Sequence, residues 1–155
     1  MATTTATLML TSSDLFDDQL SLSTTKNCYK AGTTIGLDQT TGLAKTYLTA
    51  TTELDIFPTL VEGSLPYTGK TSKVYIANLS TTDTEYITVK ISASVIGRLY
   101  AGDWMWMPWS QAEDSHGNNY HGDIQITPSV ATGMWVEFMS INEGIQYPTV
   151  NTAIT

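Results

Sequence analysis

The sequence predicts an all-β chain: a single β-sandwich or jelly-roll-like barrel with an extended C-terminal tail. Three observations predict it. Thr occurs 27 times and Ser 13 times in 155 residues, and β-branched Thr suits a pleated, half-exposed surface better than a helix. Apolar and polar residues alternate over short runs, the period of a strand with one buried face. Turn-forming residues interrupt these runs about every eight to twelve residues, the spacing of sandwiches and barrels.

Taken in order, Thr5–Leu10 and Leu20–Thr24 are the first expected strands, separated by the acidic turn Asp14–Asp18. Ser13–Leu20 has room for one helical turn at most. Tyr29–Ile35 and Lys45–Thr51 follow, around a turn region from Gly36 to Gly42. Phe57–Gly69 contains Pro58, Gly63, Pro66 and Gly69 and reads as a connecting loop. Lys73–Asn78 alternates through Val74 and Ile76, and Glu85–Ile91 through Ile87, Val89 and Ile91. The polar stretch Leu79–Thr84 between them has the length of a hairpin turn. Ile124 and Ile126 mark a strand that Pro128 ends. Met134, Val136 and Phe138 mark a last core strand with Gly133 at its entrance. From Asn142 the period fades and Pro148 intervenes, so an extended tail is expected. The organisation is one β domain: Thr-rich strands over 1–56, a loop over 57–70, a hairpin module over 71–141 and the tail over 142–155.

Composition excludes several classes. Charged residues are 14% of the chain, against a usual value of about 25%. The formal net charge is −8, from 15 carboxylates and seven cations. Too few cations are present for binding that rests on phosphate neutralisation, so no nucleic-acid partner is expected. Four Trp, eight Tyr and three Phe exclude an acidic disordered segment. Met1–Ser13 lacks a basic start and a long apolar run, and no stretch is long enough to cross a bilayer as a helix. Cys28 is the lone cysteine, which forbids an intrachain disulfide and fits folding in a reducing cytoplasm.

Chemistry-bearing patterns are sparse. Asp114, His116, His121 and Asp123 lie within ten residues and are weak candidates for a metal site. Their spacing matches no established site, and the intervening Gly and Asn residues are those of an ordinary turn. No nucleophile elbow, phosphate loop or dinucleotide fingerprint occurs. The adjacent carboxylates Asp17–Asp18 and Glu113–Asp114 read as solvated loop residues. No catalytic residue, no cofactor and no enzymatic activity are expected. The most unusual stretch is Leu99–Trp109, where alternation sets Trp104 and Trp106 on one face and Met105 and Met107 on the other. In a two-layer sandwich only one face points into the core, so the other needs cover. Trp104, Trp106, Trp109, Met105, Met107 and, in the tail, Tyr147 are the interface candidates. Burial of both faces within the chain is the competing reading, and stacking of the Trp rings on sugars is a third.

Several segments together resemble small virion proteins of tailed bacteriophages, cyanophages in particular. Leu8–Leu15, Leu20–Thr25, Lys30–Thr34 and Gly36–Leu43 are similar in style to their N-terminal parts. Lys73–Ser80, Glu85–Ile91, Gly97–Asp103, Met107–Trp109, Asp123–Thr127 and Val136–Met139 look like their recurrent hairpin module, with a turn at Ala101-Gly102. The Trp- and Met-rich 104–109 stretch and the His-containing loop depart from the pattern. The resemblance covers most of the chain and is one of fold-level patterns. It implies a non-enzymatic virion structural protein, in first place a capsid decoration or cement protein. A tail, neck or fibre component is the alternative. The implied partners are the major capsid protein, other virion proteins or further copies of the chain, and the implied location is the outer capsid surface after synthesis in the host bacterium. A carbohydrate-binding module displayed on the virion is the further alternative.

Overall fold

Alternating side chains form strands along the chain, and no helix occurs among the described residues. The computed structural model describes residues 3–14, 19–30, 32–49, 51–57, 60–61, 72–109, 112–113 and 119–143. In chain order the strands are β1 (Thr5–Ser12), β2 (Leu20–Asn27), β3 (Gln39–Thr40), β4 (Ala44–Leu48), β5 (Leu54–Phe57), β6 (Leu60–Val61) and β7 (Ser72–Asn78). They continue with β8 (Tyr86–Ile91), β9 (Ser94–Tyr100), β10 (Trp104–Pro108), β11 (Ala112–Glu113), β12 (Asn119–His121), β13 (Ile124–Pro128) and β14 (Met134–Asn142).

Two antiparallel sheets make the sandwich. The first runs β10-β7-β14, and both β4 and β3 pair with the far side of β14, β4 along Met134–Phe138 and β3 along Ile141–Asn142. The second runs β5-β13-β8-β9. Val74, Ile76, Met134 and Val136 of the first sheet share one core with Ile87, Val89, Ile124 and Ile126 of the second. All eight are buried, and each such side chain contributes about 1.5–3 kcal/mol on leaving water. At one end Phe57 lies 5.4 Å from Trp109 and 5.6 Å, edge to face, from Phe138. A small third sheet orders β11-β12-β6, and β1 and β2 pair only with each other. None of these sheets closes on itself, so the architecture is the open sandwich and not the barrel.

The structure corrects four readings of the sequence. The stretch 79–84 is not a hairpin turn: β7 belongs to the first sheet and β8 to the second, so this segment crosses between layers. The hairpin is β8–β9, closed by Ser92 and Ala93, both at positive φ. The described residues of Tyr29–Ile35 form no strand; Thr33 N–H donates to Lys30 O at 3.1 Å and Gly32 takes φ +68°. Tyr29 makes a single isolated bridge with Gly36. The expected loop from Phe57 includes the end of β5 and all of β6, and Phe57 itself is in the core. Finally, Asn142 is a buried strand residue paired with Ser72 and Gln39, so β14 runs into what the fading period assigned to the tail. Residues 144–155, including Tyr147, lie outside the described residues.

Candidate interaction surface

The Trp-Met stretch becomes β10, at one edge of the first sheet. Met105 and Met107 turn inward and pack against the core, while Trp104, 52% exposed, and half-buried Trp106 turn outward. Register then builds the outer face. Trp106 stands opposite Tyr75, which stands opposite Met139; Trp104 stands opposite Ala77, which stands opposite Glu137. Tyr75 Oη donates to Glu137 Oε1 at 3.3 Å. Burial first, then the charge and the hydrogen bond of Glu137, push the Tyr75 phenol above its ordinary pKa. A second aromatic patch continues the face, with Tyr47 5.0 Å from Trp135 and Lys45 Nζ 5.1 Å from the Trp135 ring centroid. Gly133 makes room for it, because a Cβ there would lie 2.2 Å from Tyr47 Oη.

Over this face stands the ribbon β1–β2. Its register puts Ala6, Leu8, Leu10 and Ser12 on one face with Leu20, Leu22, Thr24 and Lys26. The opposite face carries Thr5, Thr7, Thr11, Ser21, Ser23 and Thr25, with Met9 the single large apolar residue. The base is anchored where Cys28 N–H donates to Thr4 O at 2.8 Å and Thr4 Oγ1 donates to Leu37 O at 3.2 Å. Between the ribbon base and the outer face is a groove of about 710 Å³. Leu8, Tyr75, Trp104, Trp106, Met139 and Ile141 supply its apolar walls, and Glu137 and Lys26 its charges. Beyond the base the apolar face of the ribbon is uncovered: Leu10, Leu20 and Leu22 are all exposed.

Charge is unevenly spread around this surface. Lys30 pairs with Asp38 and Lys90 with Glu53, both away from the groove. Lys26 lines the groove, Lys73 is the cross-strand neighbour of Ile141, and Lys45 that of Glu137. None of these three makes an ion pair among the described residues.

The other sequence candidates fall elsewhere. Trp109 is only 2% exposed and its indole N–H donates to Gly122 O at 2.7 Å, so it is a core residue and no interface group. Asp114 and His116 lie outside the described residues, and only the backbone of His121 is described, where it pairs with Leu60. Asp123 O accepts from Ser92 N–H at 3.0 Å. No group of three or more His, Cys, Asp or Glu side chains converges among the described residues. Cys28 is buried, and burial raises its thiol pKa against the opposing charge of Lys73, the reverse of what a reactive thiolate needs. The ribbon's leucine face and the partners of Trp104 and Trp106 were missed from sequence. Leu8, Leu10, Leu20 and Leu22 do alternate, but only the pairing Leu10–Leu22 shows that they share one face.

The chain was compared with family models, with curated proteins and with solved structures, and matches none. The outer face offers broad aromatic and aliphatic contact, rimmed by cations, on a scaffold held by a close-packed core. A surface of this composition is suited to contact through aromatic and aliphatic side chains.

Proposed function

We propose that this chain is a non-enzymatic virion structural protein, and specifically a capsid decoration protein that binds and stabilises the lattice of the major capsid protein. One observation carries the proposal: among the described residues, the distal face of the ribbon and the aromatic outer face are two adjoining apolar surfaces left exposed beside the sandwich. Uncovered aromatic and aliphatic area of this kind is characteristic of protein contact sites. The resemblance to phage virion proteins supplies the setting. A net charge of −8 suits the outside of a particle, away from packaged DNA.

The test is rebinding. Purified protein added to particles that lack it binds expanded capsids and raises their resistance to heat and osmotic shock. Absence of binding to expanded capsids overturns the proposal, and density for the chain at the tail, neck or fibre of an imaged particle assigns it there instead. A second reading is favoured by the exposure of Trp104 next to the Tyr75–Glu137 hydrogen bond, a ring face beside polar groups as a sugar site requires. Binding to a glycan array that Trp104→Ala abolishes would select that reading.

A further inference from the structure

Among the described residues, the distal leucine face of the ribbon is uncovered, and the groove is walled on one side by the ribbon base. An isolated two-stranded ribbon is marginal in water, and one that exposes a leucine face is more so. The base residues Ala6, Leu8 and Thr24 line the groove, whereas Leu10, Leu20 and Leu22 do not reach it. Those three are about 40% exposed on average (40%, 39% and 41%), on the same ribbon face as Leu8. The groove, at about 710 Å³, has room for several leucine side chains.

Charge identifies the occupant. A chain of net charge −8 repels a copy of itself over most of its surface. The groove is the exception: Lys26 lines it beside Glu137, Lys45 and Lys73 are cross-strand neighbours of the lining residues Glu137 and Ile141, and none of the three lysines has an ion-pair partner among the described residues. The residues that join β1 to β2 include Asp14, Asp17 and Asp18 in the sequence and no cation. A leucine stripe followed in sequence by acidic residues is thus matched to an apolar groove that Lys26 lines. The reach is sufficient, since an eight-residue strand spans about 27 Å. We infer that the distal half of the ribbon of one copy docks, leucine face first, into the aromatic groove of a second copy. Reciprocal exchange about a two-fold axis uses the contact twice, which brings the buried area toward the roughly 1,200 Å² of a stable interface. The inference does not depend on a virion setting.

Sedimentation velocity of the full chain over a wide concentration range tests it. The unmodified protein sediments as a dimer. Leu22→Asp, which damages the ribbon, and Trp106→Ala, which damages the groove, each weaken self-association about thirtyfold while far-UV circular dichroism is unchanged. Mixed together, the two variants associate with each other more strongly than either does with itself, because one ribbon and one groove remain intact. Should Trp106→Ala lose β-structure, Lys26→Glu with Lys73→Glu weakens association in its place, and Asp14→Lys in the partner copy restores part of it. An unmodified protein that stays monomeric overturns the inference. So does a mixture that associates no better than its components, which would mean that ribbon meets ribbon. Monomeric protein that still rebinds particles removes the exchange and leaves the functional proposal standing. Quenching of tryptophan fluorescence by an oligosaccharide in a monomeric protein gives the groove to a sugar.

Discussion

Asn78 shows how much one side chain holds together. The sequence presents it within Asn78-Leu79-Ser80, the form of a glycosylation sequon. In the structure it is fully buried at the end of β7, and its side chain is committed. Its amide donates to Glu85 O at 3.3 Å and to Leu99 O at 3.1 Å, and its Oδ1 accepts from Ser80 N–H at 2.9 Å. The backbone is committed too, donating to Asp103 O at 3.0 Å and accepting from Gly102 N–H at 3.1 Å. One residue of the first sheet thus ties down two of the segments that cross between the sheets, β7 to β8 and β9 to β10. Asn78→Leu keeps the branching of the side chain but leaves two carbonyls and one N–H without this partner. Each buried polar group so orphaned costs about 1–3 kcal/mol. The expected loss is about 3 kcal/mol or more in urea unfolding, and a loss under about 1 kcal/mol would show that water replaces the amide. Trp109 carries the matching lesson for the interface candidates, because a Trp in an adhesive-looking run is here consumed by the core.

Among the elements, the β8–β9 hairpin lacks the usual turn signal and carries a register shift between Val89 and Lys90. Two-residue hairpins favour Asn-Gly because both central positions take positive φ. Here Ser92 and Ala93 occupy them, at φ 46° and 67°. The pairing around the turn, from Ile91–Ser94 to Tyr86–Tyr100, holds the turn in place, helped by the 5.3 Å contact of the two Tyr rings and Arg98 over Tyr86. Ala93→Gly removes the left-handed strain and is expected to stabilise the fold by about 0.5–1 kcal/mol in thermal or urea unfolding. A destabilised Ala93→Gly would mean that the turn chemistry is not limiting. The segment 79–84 misleads in the opposite sense, being rich in turn residues yet bridging two layers. Local composition reports that a chain reverses; it does not report whether the next strand joins the same sheet. The ribbon differs again. Its strands were legible as strands, while its place over the outer face of the first sheet, paired into neither sheet of the sandwich, was not.

At the scale of the whole molecule, two protonated groups beside the ribbon and groove couple stability to pH. Burial raises the Cys28 thiol, and burial with Glu137 raises the Tyr75 phenol. As pH climbs, the unfolded chain loses these protons first, so the folded state binds more protons and stability falls. The contribution is complete at neutral pH and is lost as pH rises from about 8.5 through the raised folded values. Urea midpoints should therefore decline above about pH 8.5, and Cys28→Ser and Tyr75→Phe should each flatten the decline. Midpoints that stay level in the unmodified protein would contradict this. The all-β class, the inward-facing Ile and Val residues and the division of Trp104 and Trp106 from Met105 and Met107 were all legible in sequence. They follow from period-two alternation, which is a property of neighbouring residues. Which strands share a sheet, which Trp the core absorbs and which lysines gather at one groove depend on contacts between residues far apart in the chain. Those the sequence encodes only through packing, so only the tertiary structure decides them.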